Sequence, residues 1–463
     1  MKSNNTSGIR SLFHMQGGLT YPKILKYFFP EWITALVVYF LPYFIDCLFI
    51  CNLKSTSTYA VSGIIDNFLT MFLKAAEGLP IGIVIVAGYF NGRQEYEKAG
   101  QTFVDAFWVV IAVGTVLSGM LYLSIPLVCS FNNFSEDMIA QGIPYLKIKS
   151  LVIFFMFVYF SLVGFLRAIK NTLTPMIVFI MGSIVFVSVD YVLIFGKLGF
   201  PQMSLLGSAT AALTQYIFMC IVMISYLLLT SKHEMYKISL FNHIFSFDRI
   251  KKIVTTSLPV VIDKVSIAFA YAWLGSCMSH LGQEAGAAFS CIKMMERFAF
   301  LPAIACAQII TFLVSNDLGR GDWNSIYANI KKIIIISTCL VGFILIIGSI
   351  WPMWFVSFFD KNGDFGSMVA LIFPALSVLI LIDLLQLVLS AALRGAGDVK
   401  TVMWTRVGVI AAFFIPSTYI ISMFSFSHIV YKMLATYAVF LIGNGLMSLV
   451  YMYRLSQNNW KKQ

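Results

Sequence analysis

Twelve apolar runs of about twenty residues or more follow one another along this chain, separated by short polar breaks. The runs fall near 28–51, 59–90, 100–130, 140–166, 174–196 and 204–229, and again near 253–281, 285–317, 331–358, 366–392, 399–423 and 428–453. A segment of that length spans the hydrocarbon of a bilayer as a helix. Inside hydrocarbon every backbone polar group needs a partner from the protein, which leaves helices or closed barrels. A barrel would show short strands of alternating polarity, and these runs do not alternate. The chain is therefore predicted to be an all-α polytopic membrane protein of 12 transmembrane helices. A soluble helical bundle is excluded by composition: 59% of residues are hydrophobic and only 11% charged, against about 25% charged in soluble domains. Several runs exceed the membrane thickness and should tilt, kink or project beyond it.

The net charge of +11 is distributed as a topology signal. Arg93, Lys98, Arg167, Lys170, Arg249, Lys251, Lys252, Arg320, Lys331, Lys332, Arg394 and Lys400 fall in breaks on one side, with the basic residues near both termini. Lys232 and Lys237 join them, while Lys54, Lys197, Lys361 and Lys432 fall on the other side, a ratio of roughly 21 to 4. Positive charge stays on the cytoplasmic side, so both termini are expected there, in the cell (inner) membrane. A nucleic-acid partner is not expected. Residues 1–26 are polar and basic with no short apolar core, so the first span is expected to serve as its own insertion signal. Cys47 and Cys51, one helical turn apart, read as core thiols rather than metal ligands, because no His or second Cys pair joins them.

Two breaks recur at a constant offset. The fourth run ends FLRAIKNTLTPM and the tenth ends ALRGAGDVKTVM; Leu166 pairs with Leu393, Arg167 with Arg394, Thr174 with Thr401 and Met176 with Met403, and 393 − 166 = 227. FNGRQEY and DLGRGDW pair Gly92 with Gly319 and Arg93 with Arg320, again at 227. Each half holds six spans, an even number, so the repeats are parallel. The expected plan is a terminal segment 1–27, a bundle 28–229, a linker 230–252 with room for a small helix, a bundle 253–455 and a tail 456–463. Parallel repeats of this kind are common among secondary transporters.

The stretch LVGFLRAIKNTLTPMIVFIMGSIVFVSVDYVLIFGKLGFPQMSLLGSATAAL, its partner LSAALRGAGDVKTVMWTR and the opening IDCLFICNLKSTSTYAVSG together resemble the multidrug and toxic compound extrusion (MATE) family, in order and spacing, over about 28–455. The resemblance implies two six-helix bundles around a V-shaped cavity. It also implies export of cationic or amphipathic small molecules driven by inward protons or sodium. No cofactor beyond that ion gradient is expected, and a monomer is. Asp46 matches the family's helix-1 acid, Asp190 its helix-5 acid and Asp383 its helix-10 acid. The chain departs from the pattern at Phe186, one turn before Asp190, at Ala212 and near Ser266, where the family carries polar or acidic residues.

Charges inside apolar helices are costly unless paired or facing a cavity, and each is a functional candidate. Asp46, Asp190 and Asp383 are the leading candidates for ion coupling and substrate binding, and sodium, if used, would sit at Asp383 or Asp46. Asp263, Lys264 and Glu296 join them. Lys264 should seek a carboxylate on another helix, with Asp383 one choice, because adjacent helical residues do not face each other. Lys74 and Glu77, and Lys293 and Glu296, are spaced for local ion pairs. Asp66 and Asp105 read as structural. Pro42, one turn before Asp46, marks a kink that protonation of Asp46 could change. Tyr39, Tyr43, Phe44, Phe155, Tyr159, Phe269 and Tyr271 could line a cavity and meet a cation. A lipid-linked saccharide flippase is the competing reading, kept open by Lys74, Lys264 and Lys293. A membrane enzyme lacks a His-containing constellation, and no phosphate-binding G-x-x-x-x-G-K-[ST] loop is present.

Overall fold

The computed structural model describes residues 17–39, 41, 45, 46, 49, 56–131, 136–240, 244–357, 360 and 365–457. The apolar runs form helices: α1 (Tyr21–Tyr39), α2 (Thr56–Gly92), α3 (Tyr96–Phe131), α4 (Glu136–Ala168), α5 (Leu173–Phe195) and α6 (Leu205–Leu229). The second set is α7 (Phe247–Ser279), α8 (Gln283–Arg320), α9 (Trp323–Ile350), α10 (Gly366–Gly395), α11 (Val399–Met423) and α12 (Ile429–Ser456). Among the described residues there is no strand, and eleven helices are long and apolar enough to cross a membrane. The first run, 28–51, lies partly outside the described residues. So do Pro42, Tyr43, Phe44, Cys47, Cys51, Lys54 and Lys361, with the side chains of Tyr39 and Asp66.

Helix ends extend past the apolar windows, because backbone hydrogen bonding does not stop where hydrocarbon does. α1 starts at Tyr21, about two turns before its window, and α7 at Phe247. α9 starts at Trp323 because Asp322 caps it, its Oδ1 accepting from the Ser325 N–H at 3.0 Å. The run 331–358 breaks at Pro352, which lacks an N–H, and continues as the short helix Pro352–Val356.

The 227-residue repeat reappears in the backbone. After α4, the Asn171 N–H reaches the Leu166 carbonyl (2.8 Å) and the Lys170 N–H the Arg167 carbonyl (2.9 Å). After α10, the Asp398 N–H reaches Leu393 (3.0 Å) and the Gly397 N–H reaches Arg394 (2.8 Å). These are paired Schellman endings, each with one left-handed residue: Lys170 (φ 64°) in one half and Gly397 (φ 85°) in the other. The breaks after α2 and α8 match in the same way, at Gln94 (φ 64°) and Gly321 (φ 72°). The next helix is tied from the same position with opposite polarity: Asn171 donates to Thr174 and the Tyr226 hydroxyl on α6, and Asp398 accepts from Thr401 and Arg454 on α12.

The chain divides into two compact units, Ile33–Val261 and Ile262–Gln463 with Met1–Trp32. This differs from the sequence plan: residues 230–261 belong to the first unit, and the start of α1 to the second. Specific contacts explain both assignments. In the first unit Arg249 at the start of α7 binds Asp105 on α3 (Nε to Oδ2, 2.6 Å) and Gln101 (3.1 Å). Asp105 is thus structural, as its sequence position suggested. A 3-10 turn, Ser231–Tyr236, precedes this lead-in; the Tyr236 hydroxyl donates to Asn91 (2.8 Å), and Trp108 Nε1 to the Leu240 carbonyl (2.9 Å). In the second unit, the Leu19 N–H donates to Asn329 Oδ1 (2.8 Å), and Lys332 Nζ to the carbonyls of Gly17 (3.0 Å) and Leu19 (2.9 Å). Lys332 is therefore not a solvated loop cation; it is a buried clamp on the chain.

Each unit has its own core. In the first, α4 packs against α2, α3 and α6, with Phe103 stacked on Phe165 at 4.5 Å. A Cβ at Gly164 would lie 2.9 Å from the Pro80 carbonyl, so glycine permits the close α2–α4 approach. In the second, α10 packs against α8, α9 and α12, around Phe373, Leu376, Tyr437 and Leu441.

Candidate functional site

In the unit Ile33–Val261, α5 carries Asp190 into the interior, where it is fully buried. Neither carboxylate oxygen has a hydrogen-bond partner among the described residues. Phe186, the residue one turn before it, sits in an apolar cluster with Val152, Ala211 and Ala212. The positions where the family carries polar side chains are thus apolar here and offer Asp190 no donor. The charges that act on it are those of Asp46 and Lys149. Asp46 is itself buried and lies within electrostatic range of Asp190. Lys74 and Glu77, elsewhere in this unit, form the expected local pair at 3.0 Å. Tyr159 is fully buried and packs edge-on against Phe179 at 4.9 Å, which makes it a core residue.

In the unit Ile262–Gln463, the buried charges are joined differently. Asp263 on α7 is gripped by two guanidiniums. Arg394 Nη1 donates to its Oδ2 at 2.8 Å, and Arg406 Nε donates to its Oδ1. All three side chains are at most 5% exposed. This corrects the reading of Arg394 as a loop cation: it lies inside the unit, where Ser390 also receives its Nη2 at 3.3 Å. Arg406 was not singled out by the sequence reading. The signal was present, since a lone Arg stands seven positions into the apolar run 399–423.

Asp383 on α10 is 7% exposed. The cation that acts most strongly on it is Arg406, not the expected Lys264. Lys264, the residue after Asp263 on α7, is half-buried and acts on Asp263 instead. Glu296 on α8 accepts from the Tyr271 hydroxyl on α7 at 3.2 Å and from the Tyr437 hydroxyl on α12. Lys293 lies over the Tyr271 ring, 4.6 Å from its centroid. Glu296 is thus held by tyrosine hydroxyls from two other helices, where the spacing had suggested a local pair with Lys293. Phe269 is 43% exposed.

α11 contains a π turn, Ile410–Phe414, immediately after the turn that carries Arg406. Such turns widen the helix and are frequent at functional sites. Arg406, Ile410, Phe414, Phe440 and Asn444 line a cavity of about 10 Å³ here, the space one water needs. Among the described residues, no group of three or more His, Cys, Asp or Glu is placed to hold a metal ion.

The repeat does not duplicate these centres. The counterparts of Asp46 and Asp190 are Trp273 (46 + 227) and Ser417 (190 + 227), and Trp273 Nε1 donates to the neighbouring Thr418 hydroxyl at 2.9 Å. The counterparts of Asp263 and Arg406 are Leu36 and Phe179. Each unit therefore carries a charged centre of its own on one shared scaffold.

The MatE family profile matches residues 32–192 and 259–420, and the two matched segments start 259 − 32 = 227 residues apart. The chain belongs to the MATE family. It is 22% identical over 412 residues to the probable multidrug resistance protein YoeA of Bacillus subtilis, covering 87% of each chain. It is 22% identical over 337 residues to the probable multidrug resistance protein NorM of Pasteurella multocida, covering 71% of this chain and 70% of that one. Its fold matches the outward-facing conformation of a multidrug resistance MATE family transporter of the MOP superfamily, with a TM-score of 0.86 at 18% identity over the full length of both chains. It also matches a MOP superfamily transporter from Pyrococcus furiosus, described as having a binding pocket of reversed polarity, with a TM-score of 0.84 at 18% identity and 98% coverage of both chains. The MATE family is a transporter family, and the many apolar helices make this chain an integral membrane protein.

Proposed function

We propose that the protein exports cationic or amphipathic small molecules by alternating access in exchange for protons or sodium, with Asp46 and Asp190 as the coupling carboxylates. One observation carries this reading: Asp190 is buried without a hydrogen-bond partner among the described residues, and a second acid acts on it. Two buried like charges are relieved by a proton, a bound cation or a basic side chain, and here Lys149 is the protein cation that acts on Asp190, shared between two acids. Such a pair exchanges a proton for a cationic substrate, which is antiport at one site. Asp383 and Glu296 would take part on the side of the second unit, where tyrosine hydroxyls hold Glu296. The protein works as a monomer in the cell (inner) membrane with both termini in the cytoplasm, as the loop cations imply, and needs no cofactor beyond the ion gradient.

A flippase for an anionic lipid-linked saccharide gains some support from the buried Arg394 and Arg406. Both guanidiniums, however, already hold Asp263, and the charge of Asp383 also acts on Arg406, so two carboxylates face the two cations. The deciding experiment is uptake of a fluorescent organic cation into proteoliposomes under separately imposed proton and sodium gradients. Transport is expected with one gradient and lost in Asp190→Asn. Equal rates with and without either gradient would overturn the coupling.

A further inference from the structure

The unit Ile262–Gln463 contains a second cavity that the charged centres do not use. It measures about 500 Å³ and lies between α8, α9, the short helix Pro352–Val356 and α10. Met295, Gly348, Trp351, Trp354, Phe355 and Phe373 form most of its wall. Gly348 keeps it open: a Cβ there would stand 3.0 Å from Phe373 Cε1 and 3.7 Å from Met295 Cε. The volume is that of a ligand pocket, yet apart from two indole N–H groups the lining side chains named here offer no polar atom.

We infer that this cavity binds one acyl chain of a bilayer phospholipid, with the headgroup held near Trp351 and Trp354. Three observations point to that occupant. First, a polar or charged guest would lose its hydrogen bonds to water on entry without replacement. Second, the cavity opens on an apolar surface: its lining residues Phe298 and Ile347 are 36% and 38% exposed, and Phe343, Ile346 and Leu371 on α9 and α10 are 60–64% exposed. Third, Trp351 and Trp354 are 61% and 67% exposed at the end of α9, and indoles at a helix end sit at headgroup level, apolar body inward and N–H toward water. The mouth is therefore at the interface, and the cavity extends from it to the depth of the chains.

The test uses the full-length protein in phosphatidylethanolamine/phosphatidylglycerol proteoliposomes. These contain either a phospholipid with a photoreactive diazirine near its acyl terminus, or a single-chain alkyl trimethylammonium carrying the same group. Crosslinked peptides are mapped by mass spectrometry. Labelling by the phospholipid is expected to concentrate at Met295 and Phe373 above the level at Phe343 and Leu371. It is expected to fall to that level in Gly348→Leu, and likewise in Ala299→Leu, which fills the cavity from the opposite wall should the first variant fold poorly. Labelling at Phe343 and Leu371 should not change. Uniform labelling of the lipid face, or enrichment that survives both fillings, would overturn the proposal. Enrichment with the alkyl trimethylammonium and none with the phospholipid would overturn it too, and would assign the cavity to amphipathic solutes.

Discussion

Asp105 on α3 accepts a hydrogen bond from Arg249 at 2.6 Å, and Lys332, the residue 332 − 105 = 227 positions later, holds the carbonyls of Gly17 and Leu19. The same repeat position thus grips the lead-in to α7 in one unit and the lead-in to α1 in the other, with opposite charge. This explains why the compact units exchange these lead-ins relative to the sequence repeats. It also makes both clamps stability determinants. Asp105→Ala strands a partly buried guanidinium, and Lys332→Ala strands two carbonyls, at about 1–3 kcal/mol each. Thermal unfolding in detergent should show a lower midpoint for both. The exchange Asp105→Arg with Arg249→Asp should recover part of the first loss.

Asp263 is the shared anion of two buried guanidiniums, so the three positions respond unequally. Asp263→Ala leaves two buried cations uncompensated and should cost about 3–5 kcal/mol. Arg394→Met or Arg406→Met leaves a carboxylate that still has one guanidinium, and should cost less. Expression level and thermal midpoint check the order. An Asp263→Ala variant more stable than either Arg variant would contradict the shared role.

Asp190 presents the opposite case. It has no hydrogen bond to lose among the described residues, and the neighbouring Asp46 is a like charge. Asp190→Asn should therefore leave the thermal midpoint unchanged or raise it while abolishing gradient-driven transport. Parallel melting curves and vesicle uptake separate the two effects.

Gly100 on α3 faces the carbonyl of Tyr236 so closely that a Cβ would overlap it. Gly100→Ala should displace the turn Ser231–Tyr236, break the Tyr236–Asn91 bond and lower the thermal midpoint. Increased proteolysis within 231–240, relative to the unmodified protein, is the direct readout.

Much of the architecture was legible because it depends on local chemistry. Apolar length dictates spanning helices, and the paired Schellman endings at Leu166–Asn171 and Leu393–Asp398 are written in residues only five positions apart. Asp190 stood out because a carboxylate in an apolar run is conspicuous. Arg394 misled for the same reason: it ends an apolar run next to Gly395 and Gly397, where a solvated loop cation also belongs. Its burial depends on a carboxylate 131 residues earlier.

The sequence alone determined the helix count, the parallel repeat and the family, and singled out several of the buried acids, since each follows from period, spacing or local composition. The tertiary structure alone decided which charges meet. It placed Asp263 between two guanidiniums, left Asp190 without a hydrogen-bond donor among the described residues, and gave Glu296 the hydroxyls of Tyr271 and Tyr437. A buried charge is governed by what stands within a few ångströms of it, and those neighbours come from helices far apart in the chain.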